Sequence, residues 1–470
     1  MGIATLSRLI LGGISLVVVG ILARYLGPDG FGQYSAIFAY LYIFTALADL
    51  GLYTVLVREI SKNDADETSI ASKIFTLRFF IIIGCILTAD MLVFAFPYSM
   101  QVRIGIIVAS LFSVFSSLAQ VLMGIFQKYL RVYLISIADV FARTIQVGAL
   151  LLLVQFETGL LWFVGVVVLS GIVNFGLVFY FARTLVPVRF NIDWEYWRRT
   201  LKSALPIAVS LVLVLIYFKL DTVMLSIMKP ARDVGIYSAA YKVLEAVIFL
   251  PAIYIGLVMP ILSRHAFVSR QEFIRTFRKA FDVISIFAVW LSAYLFIMSD
   301  WIMRIIGGNE FVAASPVLKI LSVAVFLIFF GNLGGNAIIA LNLQKKAMWV
   351  YFTGAVVNIG GNLLLIPKYT YFAAASTTVA TELLITFLMF ELIRKSAATA
   401  AHNIVLGKSI LAMAITAGLM LPLLGSFIWA SLVWLAYFPI LFVFGGFTQA
   451  DIREIISLKK SPVLAGEVKE

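Results

Sequence analysis

Residues 32–36 read GQYSA and residues 235–239 read GIYSA. The two phrases lie 203 positions apart, and each runs straight into an apolar segment. Residues 39–44 are AYLYIF, and at the same offset residues 242–247 are KVLEAV. Each phrase also follows a short connector, YLGPDGFG in one case and MKPARDVG in the other. A phrase repeated at matching positions predicts two copies of one bundle, with the working site between the copies.

The composition says what kind of bundle. Of 470 residues, 62% are hydrophobic and 13% charged, with a mean hydropathy of +1.05. Ordinary soluble domains are about half apolar and about a quarter charged. Runs of about 20 apolar residues, the length that crosses a hydrocarbon core, recur along the chain. About fourteen spanning helices are expected, with cores near 3–25, 34–57, 74–96, 103–126, 134–155, 160–183, 203–228, 234–262, 280–306, 316–341, 347–367, 372–395, 404–424 and 427–446. The first apolar stretch is long and lacks a small-residue cleavage site before Arg24, so it reads as a retained helix. The fold class is therefore an all-α polytopic membrane protein.

The formal charge of +12 finds its explanation in the connectors. One set is basic: REISKNDADETSIASK, QKYLRV, RTLVPVRFNIDWEYWRRTLKS, SRHAFVSRQEFIRTFRK, NLQKKA, IRKSAATAAHN and the tail DIREIISLKK. The alternate set is short and nearly uncharged. Lysine and arginine accumulate on the cytoplasmic side, so both termini are expected in the cytoplasm and the chain in the cell membrane. This accounts for the basic charge without nucleic acid as a partner. In the longest connector Trp194, Tyr196 and Trp197 stand beside Arg198, Arg199 and Lys202, which suits an interfacial segment anchored at headgroup level.

The repeat then sets the organisation. Residues 1–183 and 203–395 are expected to be two six-helix lobes joined by an interfacial linker over 184–202, and 396–470 to be two additional helices and a tail. Six crossings return the chain to its starting side, so the lobes are a parallel repeat about an axis along the membrane normal, around a central cavity.

Ionisable residues in spanning helices are functional candidates because they are costly to place there. Asp49 lies in the second helix. Asp139 and Arg143 lie four apart on one face of the fifth and are able to pair. Lys219 and Asp221 lie in the seventh, two apart, and cannot point the same way. Lys242 and Glu245 lie in the eighth, three apart on one face. Arg24, Lys219 and Lys242 are the candidate cavity cations. Asp49, Asp139, Arg143, Asp221 and Glu245 are candidates for ion coupling or for structural ion pairs. Pro206 and Pro251 are candidate hinges, since proline removes a helix hydrogen bond, and Pro260 is expected to end the eighth helix. The asparagines of GNLGGN (331–336) and NIGGN (358–362) either line a polar path or bond across helices.

The lone cysteine, Cys85, excludes an internal disulfide. His265 and His402 sit far apart in polar connectors, so no metal is expected. No Walker loop, nucleophile elbow or HExxH helix is present, no cofactor motif appears, and the outer connectors are too short for a catalytic domain, so an enzyme is not expected.

Several longer stretches carry a family likeness. RYLGPDGFGQYS (24–35), ADLGLYTVLVREIS (48–61), DTVMLSIMKPARDVGIYSAAYKVLEAVIFLP (221–251), GGNEF (307–311), SPVLKIL (315–321) and VVNIGGNLLLIPKYTYFAAASTTVATE (356–382) occur in that order. The chain resembles the polysaccharide-biosynthesis flippases, the Wzx-type branch of the multidrug/oligosaccharidyl-lipid/polysaccharide (MOP) exporter superfamily. It departs from them at Thr370, Tyr371 and Phe372, where glycines are frequent. The resemblance implies alternating access around a central cavity. The implied cargo is a polyprenyl-diphosphate-linked oligosaccharide, turned from the cytoplasmic to the outer leaflet. It also implies proton or sodium coupling, and a polysaccharide polymerase and glycosyltransferases as partners. A peptidoglycan-precursor flippase and a multidrug/cation antiporter of the same superfamily are the alternatives, and a non-transporting membrane enzyme or scaffold is the remote one.

Overall fold

The computed structural model describes residues 2–397 and 404–447, with side chains described from residue 11 onward except at 203 and 205–218. The helices are α1 (Gly2–Asp49), α2 (Leu52–Ile60), α3 (Glu67–Leu92), α4 (Met100–Lys128), α5 (Tyr133–Gln155), α6 (Leu160–Leu185), α7 (Trp194–Met228), α8 (Ala231–Val247), α9 (Phe249–Val268), α10 (Arg270–Ile297), α11 (Ser299–Gly307), α12 (Ser315–Ala340), α13 (Gln344–Ala397), α14 (Ile404–Met420), α15 (Phe427–Trp434) and α16 (Tyr437–Val443). Among the described residues there is no strand. Among the described residues ten segments are long and apolar enough to cross a membrane. Two of them contain a break and count as two crossings each, and α7 and the apolar α15–α16 stretch complete fourteen.

The breaks follow from local chemistry. Gly27 takes φ 63°, a left-handed conformation open to glycine, and Pro28 then opens the second arm of α1. The second crossing therefore begins at Pro28 rather than near residue 34. It also stops early, at Leu50 and Gly51 (φ 46° and 66°), before α2 resumes. In the second half, α8 ends at Val247 and α9 starts at Phe249. Pro251 cannot donate to Val247, four residues back, and its ring crowds that carbonyl. Pro260, expected to end the helix, instead lies inside α9, which runs on to Val268. The basic connector that follows is almost wholly helical, because α10 begins at Arg270. The helix of the ninth crossing accordingly starts ten residues before its apolar run, and α11 follows as a separate helix of nine residues. The last crossing is split into α15 and α16.

The linker is docked against protein. Its backbone N–H groups at Arg189 and Asn191 donate to Ser72 Oγ and Thr76 Oγ1 of α3, both at 2.9 Å. Lys73 pairs with Asp193 at 2.9 Å, and Asp193 caps α7 by accepting from Tyr196 N at 2.9 Å. These donors hold the Asp193 carboxyl below the usual carboxylate range. Trp194 is exposed, as a headgroup anchor would be, but Trp197 is buried and donates to Lys73 O at 2.9 Å. The expected interfacial piece is thus the first turn of α7, with one tryptophan outward and one inward.

The repeat is visible in the backbone. Gly32 and Gly235 meet where α1 crosses α8. A Cβ on Gly32 would overlap the carbonyl of Ala231, and a Cβ on Gly235 would overlap the carbonyl of Pro28. Pro28 and Ala231 are themselves 203 apart, so the contact is reciprocal. A second pair of matching features ends α4 and α12. Leu130 and Asn342 take φ 54° and 56°. Around them Arg131 N donates to Phe126 O and Leu343 N to Ile338 O, both at 2.9 Å, which is the same left-handed helix closure 212 positions apart.

The chain divides into two compact units. One comprises Met1–Val247, Ile302–Leu321 and Lys345–Ile385, and the other Ile248–Trp301, Ser322–Gln344 and Thr386–Glu470. The core of the first includes Ile37, Tyr40, Leu56, Phe75, Ile106 and Phe126. Tyr40 is anchored there by donating to Ala89 O at 2.7 Å. Large apolar side chains also face outward, such as Leu364, 78% exposed, and Phe387, 64% exposed. Outward leucine and phenylalanine suit hydrocarbon.

Candidate functional site

Lys219 and Asp221 stand two residues apart on α7, and that spacing sends them to different neighbours. Lys219 ion-pairs with Glu245 of α8 through Nζ and Oε1, and Lys242 reaches the other oxygen of the same carboxylate at 2.7 Å. Two ammonium groups against one carboxylate leave a net positive charge. The Lys219 ammonium also lies 5.8 Å from the ring centroid of Tyr42 and 5.3 Å from that of Tyr241, within cation–π range. Lys219, Lys242 and Glu245 are only partly exposed, at 18%, 36% and 26% of their side chains.

Asp221 is buried among neutral donors. It accepts from Asn362 Nδ2 at 2.5 Å, Thr378 Oγ1 at 2.6 Å and the Tyr237 hydroxyl at 3.1 Å. Asn362 also donates to Asn358 Oδ1 at 3.2 Å, and its own Oδ1 is buried without a hydrogen-bond partner. Among the described residues no cation lies within ion-pair distance of Asp221. Asn358 and Asn362 come from the first arm of α13 and Thr378 from the second, after the turn at Thr370 (φ 51°). The NIGGN asparagines therefore bond across helices. Asn336 instead donates to Asn332 O at 2.9 Å within α12. No group of three or more His, Cys, Asp and Glu side chains gathers among the described residues. A single carboxylate held by one amide donor and two hydroxyl donors offers one titratable group and no ligand set for a transition metal.

The remaining candidates sit elsewhere. Arg24 donates from Nη2 to Ile305 O at 2.6 Å and from Nε to Ile306 O at 3.2 Å, the last carbonyls of α11. It caps a helix whose C-terminus favours a cation. Asp139 and Arg143 share a face of α5 yet do not pair: Asp139 accepts from Asn174 Nδ2 at 2.8 Å, and Arg143 donates to Gln146 Oε1 at 2.8 Å. Asp49 pairs with Arg78 at 3.1 Å. Pro251 follows the α8–α9 break described above, and Pro206 falls in 205–218, outside the residues whose side chains are described.

Arg78 escaped the sequence reading. It is fully buried on α3, and besides Asp49 it binds Ala48 O and, at 3.1 Å, Gln120 Oε1. It thereby closes the end of α1 at the Leu50–Gly51 break. It was hidden because a cation near a cytoplasmic helix end is what topology alone predicts. Tyr42, Tyr241, Tyr237 and Thr378 were missed too, because aromatic and threonine residues are ordinary in apolar helices. Their signal lay in spacing: Tyr237, Tyr241 and Glu245 recur every four residues on α8.

Comparison with known proteins places this geometry. The family described as "Polysaccharide biosynthesis protein" matches residues 1–266, and that described as "MatE" matches residues 206–364. Among solved structures, the chain is similar to the lipid II flippase MurJ in an inward closed conformation. The identity is 14%, the match covers 96% of this chain and 99% of that one, and the TM-score is 0.78. It is also similar to an inward-facing multidrug resistance MATE family transporter of the MOP superfamily, at 12% identity over 84% of this chain and 98% of that one, with a TM-score of 0.67. At these identities the likeness is one of fold. Among curated sequences, an uncharacterized membrane protein of Methanocaldococcus jannaschii is 31% identical over 78 residues, a stretch that spans 17% of this chain and 15% of that protein.

Proposed function

The chain belongs to the polysaccharide biosynthesis protein family, and on that premise we propose that it is a flippase. Its cargo is a polyprenyl-diphosphate-linked oligosaccharide, moved from the cytoplasmic to the outer leaflet by alternating access. The observation that carries this reading is the Lys219–Glu245–Lys242 cluster. A diphosphate cannot cross hydrocarbon unaided, and it needs cations that can be released to it. Glu245 holds both lysines in place while the site is empty. An arriving phosphate competes for them through charge-assisted bonds. The rings of Tyr42 and Tyr241 fix the Lys219 ammonium without neutralising it.

Asp221 is the proposed ion-coupling residue. Its carboxylate, the neighbouring hydroxyls and the unpartnered Asn362 Oδ1 are the groups proposed to take up a proton or sodium ion. The break before Pro251 is the proposed hinge. The two-lobe arrangement over 1–183 and 203–395, cytoplasmic termini, and supply and use of the cargo by glycosyltransferases and a polymerase complete the reading. No catalytic step is assigned to the chain.

A peptidoglycan precursor is the second reading, favoured by the likeness to the lipid II flippase. It shares the polyprenyl-diphosphate and differs in the sugar. A multidrug antiporter is disfavoured by the surplus cation of the cluster. Reconstitution into liposomes with fluorescent polyprenyl-diphosphate glycans, followed by outer-leaflet accessibility over time, tests the proposal. Protein-dependent translocation is expected. Efflux of organic cations with no glycan translocation would overturn it.

A further inference from the structure

The first three turns of α10 carry a recess of about 500 Å³, lined by Gln271, Ile274, Arg275, Arg278, Lys279 and Asp282. It lies within one compact unit and is separate from the lysine cluster. Gln271, Arg275, Arg278 and Asp282 follow one another at spacings of three and four, so they share a face of the helix. Arg275 and Arg278 are exposed, and neither makes a hydrogen bond or ion pair among the described residues. Two guanidinium groups line one recess and neither is bonded to a protein acceptor among the described residues, which suits an anion.

The chemistry of that anion follows from the side chains. Arginine presents a planar fork that matches phosphate oxygens bidentately. Residues three apart on a helix have Cβ atoms about 5–6 Å apart, which lets two forks grip adjacent phosphoryl groups. Lys279, four beyond Arg275, also lines the recess. Asp282, one turn deeper than Arg278, repels an anion and sets the floor of the site. Depth supplies the rest. The recess sits where the basic connector passes into the apolar run that starts at Ala280. That is headgroup level, where a ligand with a hydrocarbon tail can leave its tail in lipid.

We propose that this recess docks the diphosphate headgroup of a polyprenyl lipid in the inner leaflet, with Arg275 and Arg278 each taking one phosphoryl group, as a loading site ahead of the lysine cluster. The assignment rests on the topology and cargo proposed above. The full-length protein in nanodiscs is titrated with a short-chain polyprenyl diphosphate, and bound lipid is counted by native mass spectrometry. Wild type is expected to bind two. The Arg275→Ala/Arg278→Ala variant is expected to bind one, with a tenfold or greater loss at the missing site. Arg275→Lys/Arg278→Lys is expected to recover part of the affinity. The Lys219→Ala/Lys242→Ala variant keeps the α10 site whatever the cargo of the lysine cluster, so the two readings fail separately. Unchanged stoichiometry and affinity in the double alanine variant would overturn the proposal. So would displacement of the lipid by equimolar phosphatidylglycerol, which makes the recess a general anionic-lipid site. Inorganic diphosphate binding as tightly as the lipid would overturn the lipid assignment as well.

Discussion

The repeated phrase puts the same face in two helices and then fills it differently. On the second arm of α1 that face reads Tyr34, Phe38, Tyr42; on α8, at the same 203 offset, it reads Tyr237, Tyr241, Glu245. Tyr42 and Glu245 are repeat counterparts, and Lys219 lies near both. Lys219 and Asp221 have Leu16 and Val18 as their counterparts. The two copies agree where backbones touch, at Gly32 and Gly235, and diverge where charge is introduced. In the first half the fully buried Arg78 is tied to Asp49 and to the end of α1, and Asp139 has a neutral donor, Asn174. In the second half one carboxylate is shared by two lysines and another has neutral donors alone. The two copies thus share a backbone contact and differ in how their charges are partnered.

The largest expected effect tests the first half. Arg78→Ala leaves the partly buried Asp49 carboxylate without its partner, and should cost about 3 kcal/mol of stability, the low end for breaking a buried pair. Thermal unfolding in detergent measures it. Adding Asp49→Asn should recover part of the loss, and equal loss in the single and double variants would show that the unpaired carboxylate is not its cause. The next test concerns the second half. If Asp221 holds a monovalent cation, saturating ion should raise stability by about 2.7 kcal/mol at a hundredfold excess over Kd. Asp221→Asn should abolish that rise while leaving diphosphate binding intact. A rise that persists in the variant places the ion elsewhere.

Smaller effects probe the shared part. Gly32→Ala and Gly235→Ala each force a methyl group into a facing carbonyl. Each should cost about 1–3 kcal/mol, in the range of overpacking. Because the contact is reciprocal, the two values should agree, and the double variant should cost less than their sum. Clearly unequal costs would break the symmetry argument. Gly84→Ala on α3 is the control, since its Cβ meets nothing within 4 Å. It should be neutral, or gain about 1 kcal/mol or less from helix propensity.

The sequence carried the fold further than the site. Apolar run length, alternating connector charge and the twin phrase near Gly32 and Gly235 led to fourteen crossings and a repeat, because bilayer thickness and topology act on the whole chain. Boundaries were lost wherever a polar stretch remained helical, as at Arg270–Lys279, since a helix continues into water at no cost in hydrophobicity. Depth and spacing singled out Lys219, Asp221, Lys242 and Glu245, and the two-residue spacing of Lys219 and Asp221 foretold their separation. The partners were not legible. Nothing in α5 says that Asp139 prefers Asn174 to Arg143, and nothing in α1 says that Tyr42 faces Lys219. Such choices depend on which helices meet, and helix packing in a membrane is set by small residues and shape rather than by charge pattern.

The surplus positive charge of the Lys219–Glu245–Lys242 cluster is proposed to select an anionic cargo. The most direct measurement compares initial rates of polyprenyl-diphosphate glycan translocation in liposomes at matched protein density. Three proteins are compared: wild type, Lys219→Ala/Lys242→Ala and Glu245→Gln. The account predicts loss of translocation in the double lysine variant. In Glu245→Gln, where the lysines lose their internal competitor, it predicts tighter cargo binding with slower release. Wild-type rates in the double lysine variant would contradict it.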